Sequence, residues 1–180
     1  WGPLYTTLAV LPSMKERGAG RILNIASIGG KLGVPHLVPY SASKFALVGL
    51  SEGLRAELKQ YNITVTCASP GLMQTGSPRH ANVKGQHEEE YALFKIADSS
   101  PLTSISAEES AKSILDACRH GDAEVVTSIP AKIGAFIHGL SPETTTDIFA
   151  VLNRMLPGPT GEQRAKKGYE SETPLSMSGL

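Results

Sequence analysis

Tyr40 and Lys44 stand four residues apart in "PYSASKFALVGL", residues 39–50. On a helix that spacing puts both side chains on one face. A tyrosine hydroxyl can give or take a proton, but a free phenol titrates at about pH 10, too high for a good base near neutrality. An adjacent ammonium stabilises the phenolate and makes the exchange easier. Spacing alone does not assign this chemistry, because "YALFK" repeats it at Tyr91 and Lys95. The surroundings separate the two pairs. Ser27 closes the apolar run "RILNIAS" thirteen residues before Tyr40, whereas Pro78 stands thirteen before Tyr91. After the Tyr40 helix, "ITVTCAS" runs into Pro70-Gly71, a turn that allows close backbone approach to a ligand, and Thr75 follows. Tyr91 and Lys95 therefore read as a chance pair on the surface.

These residues need a sheet and helices to hold them. Leu4, Leu8, Leu11 and Met14 form a helical stripe over residues 4–17, interrupted by Pro12 and stopped at Gly18 and Gly20. "RILNIAS", "ITVTCAS" and "EVVTSIP" read as three buried strands. A long helix is expected over residues 40–61, apolar on two sides in its first half. A second helix begins at Ser106 with Glu109 three residues later and ends before Gly121, the signature of a capping box and a glycine stop. Residues 72–106 show weak periodicity and read as a mobile segment with a short helix. Helices alternating with apolar strands imply an α/β fold with a parallel, doubly wound sheet, of which three strands make about half. In such sheets ligands bind outside the carboxyl ends of the strands, where Ser27 and Thr75 are expected.

Composition excludes several classes of function. The 180 residues carry 17 Lys plus Arg and 17 Asp plus Glu, so the net charge of zero argues against a phosphate-backbone binder. No apolar run reaches the ~20 residues of a membrane-spanning helix. Cys67 and Cys118 make no disulfide framework, and the five histidines share no metal-ligand spacing, so no metal is expected. Free thiols make a reducing cytoplasm the default setting. Asn24 reads as structural and Cys67 as a small buried residue. No G-x-S-x-G elbow points to an α/β hydrolase.

Taken in order, "GRILNIAS", "YSASK" and "PGLMQT" resemble the short-chain dehydrogenase/reductase family over residues 2 to about 130. The resemblance implies a Rossmann-like domain that moves hydride between NAD or NADP and a small alcohol or ketone. It implies that Tyr40 is the acid/base, that Lys44 assists it and bonds the nicotinamide ribose, and that Ser27 holds the substrate oxygen. It also implies that Pro70, Gly71, Met73 and Thr75 line the nicotinamide, and that the Tyr40 helix packs in a homodimer or homotetramer. The family's glycine-rich turn has no match, and its active-site asparagine would fall before Trp1. The chain is thus expected to be the C-terminal half of such a domain, over residues 1–156, with a poorly ordered polar tail at 157–180. Alone it is expected to be marginally stable and a weak binder of NAD(P). The alternative is a non-catalytic Rossmann-like module that binds or oligomerises.

Overall fold

A computed structural model describes residues 1–100 and 103–177. Its centre is a three-stranded parallel sheet of β1 (Gly20–Ile25), β2 (Ile63–Ser69) and β6 (Glu124–Val126), in the order β1-β2-β6. β1 and β2 pair in register from Gly20 opposite Ile63 to Ile25 opposite Ala68. β6 meets β2 only at Cys67–Ser69. β2 is the middle strand and almost wholly buried, as its apolar run requires. Among the described residues β1 is paired on one side only, which leaves its other edge open.

Helices cover the sheet. The helix α1 (Gly2–Glu16) continues through Pro12 and buries little of its own surface. Its Leu11 and Met14 pack on Ile22, Leu58, Ile63 and Val65. Gly20 lets α1 come this close, because a Cβ there would lie 2.7 Å from the Met14 sulfur. The helix α2 (Val38–Leu58) starts two residues earlier than the sequence suggests and passes into a 3-10 turn at Lys59–Tyr61. Its Leu47 and Val48 pack with Ala26 and Cys67 in a second core cluster. Phe45 and Val38 stay exposed on the opposite face, so the expected burial of both sides is not met within one chain. Asn24 is buried and donates to the Ser51 hydroxyl on α2 (2.9 Å). Ser106 caps α5 (Ala107–His120) by accepting from the Glu109 N–H at 3.2 Å, and Gly121 ends it at φ 77°.

Residues 72–106 hold more structure than their pattern suggests. They form β3 (Leu72–Gln74), α3 (Ser77–His80), β4 (Asn82–Lys84), the thirteen-residue α4 (His87–Ser99) and β5 (Ser104–Ser106). β3 and β5 pair in parallel, and β4 pairs antiparallel with β7 (Ala165–Lys167). The polar tail thus supplies a strand, and a 3-10 turn at Gly168–Ser171 and α8 (Pro174–Met177) follow it. Gly168 is seated so tightly that a side chain there would collide with the Pro78 carbonyl and the Tyr91 ring. Tyr91 is consequently not a surface residue. It is fully buried, its hydroxyl donates to Glu172 at 3.0 Å, and Arg79 also holds that carboxylate at 3.3 Å. Burial first, then the Glu172 contact, raises the Tyr91 pKa above that of an ordinary phenol. The helices α6 (Ile129–Leu140) and α7 (Pro142–Asn153) complete the chain. No helix of the described residues is long and apolar enough to cross a membrane.

Candidate active site

The strand β1 delivers Ser27 just past its end. Ser27 is extended (φ −174°) and its Oγ accepts the Gly29 N–H at 3.1 Å, opening a 3-10 turn at Ile28–Gly30. The turn role and a catalytic role are compatible, because a hydroxyl that accepts one bond still has its proton to donate. Tyr40 lies in the first turn of α2 and remains 43% exposed, so its hydroxyl is within reach of a ligand. Gly29 is where the two side chains meet. A Cβ on Gly29 would lie 3.0 Å from Tyr40 Cε1 and 3.6 Å from Ser27 Oγ.

Lys44, one turn along α2, points back to the sheet. Its Nζ donates to the Ile25 carbonyl at 3.1 Å and lies 5.6 Å from the centre of the Tyr40 ring. It forms no ion pair among the described residues. An ammonium has three donors, so two remain for a ligand. Gly30 fixes the spacing between turn and helix. A Cβ there would stand 2.7 Å from the Lys44 carbonyl oxygen and 3.0 Å from Val48 Cγ2.

The second loop is tied to the first by the Ile28 N–H, which donates to the Pro70 carbonyl at 2.7 Å. Gly71 lies under the start of α6, where a side chain would collide with the Ser128 hydroxyl. Met73 sits half-buried on β3. Thr75 is exposed just beyond it, and its Oγ1 accepts from the Ser77 N–H at 3.2 Å. The structure therefore gathers Ser27, Tyr40 and Lys44 around the Ile28–Gly30 turn and joins Pro70 to that turn. Met73 and Thr75 follow along the chain, without a hydrogen bond to the three among the described residues. Two cavities flank this place. One, of about 580 Å³, lies between Val38, Ser41 and Phe45 of α2 and Phe149 of α7. The other, of about 370 Å³, is lined by Thr75, Arg79, Tyr91, Lys95 and Asp98. Neither is lined by Ser27, Tyr40 or Lys44, which face an open surface at the carboxyl end of the sheet.

The chain is similar to known short-chain dehydrogenases. Residues 1–85 match the family model for short chain dehydrogenases. A 3-ketodihydrosphingosine reductase of Dictyostelium discoideum is 35% identical over 158 residues, 87% of this chain and 45% of that protein. The dehydrogenase/reductase SDR family member 7B of Mus musculus is 36% identical over 143 residues, 79% of this chain and 43% of that protein. A short chain dehydrogenase from Burkholderia cenocepacia, solved in complex with NADP, superposes with a TM-score of 0.64 at 25% identity, over 82% of this chain and 54% of that one. The chain belongs to the short-chain dehydrogenase/reductase family. It spans less than half the length of these two curated relatives.

One glycine of this short-chain dehydrogenase/reductase chain escapes a reading by motif. "SIGG" advertises a turn, but only the structure shows that Gly30 abuts the α2 backbone at Lys44. The obstacle is backbone, so an added methyl group must displace the turn or the helix. Gly30→Ala is expected to lower stability by about 1–3 kcal/mol, the range for overpacking a filled site. Thermal unfolding of the variant against wild type checks this, and unchanged stability contradicts it.

Proposed function

We propose that the chain carries the Ser27–Tyr40–Lys44 set of an oxidoreductase that moves hydride between NAD or NADP and an alcohol or ketone. The observation that carries the reading is the placement of the Lys44 ammonium. It is held at the end of β1, beside the Tyr40 ring and without a carboxylate partner among the described residues, next to the turn that bears Ser27. The donor set suits a nicotinamide nucleoside. Lys44 has donors left for a ribose hydroxyl, and the Gly71 backbone and Thr75 hydroxyl lie beyond the neighbouring strand. NAD or NADP, when bound, supplies or accepts the hydride. In the reducing direction, Ser27 donates a hydrogen bond to the carbonyl oxygen and Tyr40 hands that oxygen its proton. Lys44 stabilises the negative charge that develops on the Tyr40 oxygen. In the oxidising direction the same proton returns to Tyr40. Pro70, Gly71, Met73 and Thr75 form the wall on the nicotinamide side.

The solved relative from Burkholderia cenocepacia is described as a complex with NADP, which supports this cofactor class. The exposed outer face of α2, with Val38 and Phe45, supports association of the full-length protein into a dimer or tetramer through this helix, since large apolar patches are seldom left open. The test of the reading is a fluorescence titration of NADH and NADPH into the full-length protein. Saturable binding of at least one is expected. A folded protein that binds neither would leave the non-catalytic module as the better reading.

A further inference from the structure

His36 has a left-handed backbone, φ 62°, which residues other than glycine seldom adopt. It stands just before Leu37, the N-cap of α2, and four residues before Tyr40. Its ring does not stay with its own loop. The Nδ1 atom lies 2.6 Å from Oε1 of Glu90, 54 residues away on α4. An ionised carboxylate only accepts, so the imidazole N–H donates. Both side chains are partly sheltered, at 33% and 23% exposure. Both ends are anchored. On the loop side, the Val34 N–H donates to the Ser41 hydroxyl of α2 at 3.2 Å. On the helix side, Tyr91 is next to Glu90, buried and bonded to Glu172.

The two ends belong to the two segments that leave the candidate site. Residues 31–37 run from the Ser27 turn toward Tyr40, and residues 76–99 follow Thr75. Among the described residues no other hydrogen bond or ion pair joins these segments. We propose that His36 and Glu90 are specificity-determining residues: their ion pair walls the substrate cleft on the α4 side and disfavours ketones with a bulky substituent there. Neither residue touches the reacting atoms. The proposal rests on the oxidoreductase reading for its function, though not for its geometry. A compact ketone leaves the pair closed, whereas a bulky one must open it and lose its stabilisation. Removing the pair lifts that penalty from the bulky substrate alone. For a partly exposed ion pair the expected gain is about threefold to fivefold.

The experiment has two arms, both on the full-length protein. His36→Asn shortens the side chain beyond reach of Glu90, and asparagine tolerates a left-handed backbone. Glu90→Ala removes the other partner and places a good helix former on α4. Amide hydrogen exchange resolved by NMR reads the pair itself. In His36→Asn the Glu90 N–H, bonded to the Gln86 carbonyl at 2.9 Å, is expected to exchange about threefold faster, with Val65 and Ala68 of β2 unchanged. Steady-state kinetics with NADH and NADPH reads selectivity, as kcat/KM for 4-phenylbutan-2-one divided by kcat/KM for butan-2-one. Each single variant is expected to raise this ratio about threefold to fivefold, and the double variant no further, since the same pair is lost in all three. A merely structural role lowers the amount of active enzyme for both ketones and leaves the ratio alone. Glu89→Ala, at an exposed residue of the same helical turn, is the control and should change neither readout. If His36→Asn does not fold, Glu90→Ala carries both arms, with exchange read at Val34. Unchanged exchange, or a ratio that stays at the wild-type value or falls, overturns the proposal, while wild-type turnover leaves the oxidoreductase reading standing. A folded wild type that reduces neither ketone also overturns the proposed selectivity. Titration of that protein with NADH and NADPH then decides the oxidoreductase reading, which binding keeps and lack of binding removes.

Discussion

Tyr40→Phe is expected to reduce turnover by roughly a hundred- to ten-thousandfold, the usual contribution of a positioned acid/base group, while cofactor affinity stays within about threefold. The substitution removes one oxygen and no packing. The ring keeps its place against Gly29, and at 43% exposure the hydroxyl has no structural bond to lose among the described residues. Stability should therefore stay close to wild type, and the whole deficit should appear in kcat. Lys44 keeps its bond to the Ile25 carbonyl, so the ribose donors remain in position. Steady-state kinetics with a fluorescence titration of the same variant checks both halves. Turnover retained within a few-fold would remove Tyr40 from the mechanism.

Lys44→Ala should damage two steps at once. On the proposed mechanism it removes both the charge beside the Tyr40 oxygen and the donors for the ribose, so kcat/KM should fall at least as far as in Tyr40→Phe. Cofactor affinity should also weaken, by roughly tenfold or more, as expected for a lost bond to a charged donor. Lys44→Arg is not expected to rescue, since the longer, planar guanidinium does not place its charge and donors where the compact ammonium does. Lys59, exposed at the other end of the helix, provides the control, and Lys59→Ala should change neither quantity. A Lys44→Ala variant that loses rate with unaltered cofactor affinity would mean that the ammonium serves the proton alone.

The ordered spacing from Ser27 to Tyr40 to Lys44 was legible because each residue depends on a strong local element. An apolar strand ends at one, a helix begins at the next, and one helical turn separates the last two. The capped helix after Ser106 was legible for the same reason. What escaped was set by distant partners. Tyr91 has the same local spacing to a lysine as Tyr40, and its burial depends on Glu172 and Gly168, about eighty residues away. The strands β3, β4, β5 and β7 have three residues each, too few to show an alternating pattern. In β7 the residues are Ala-Lys-Lys, whose polarity signals a solvated tail rather than a strand.

The central claim is that these residues serve hydride transfer to a carbonyl carbon. It is tested most directly by following the label from deuterated NADH or NADPH. The cofactor carries deuterium at the reactive nicotinamide carbon, and the full-length enzyme is given a panel of ketones in ordinary water. The account predicts an alcohol product with one deuterium on its carbinol carbon, lost with Tyr40→Phe. An unlabelled alcohol, or labelled product formed as fast by Tyr40→Phe as by wild type, would contradict it.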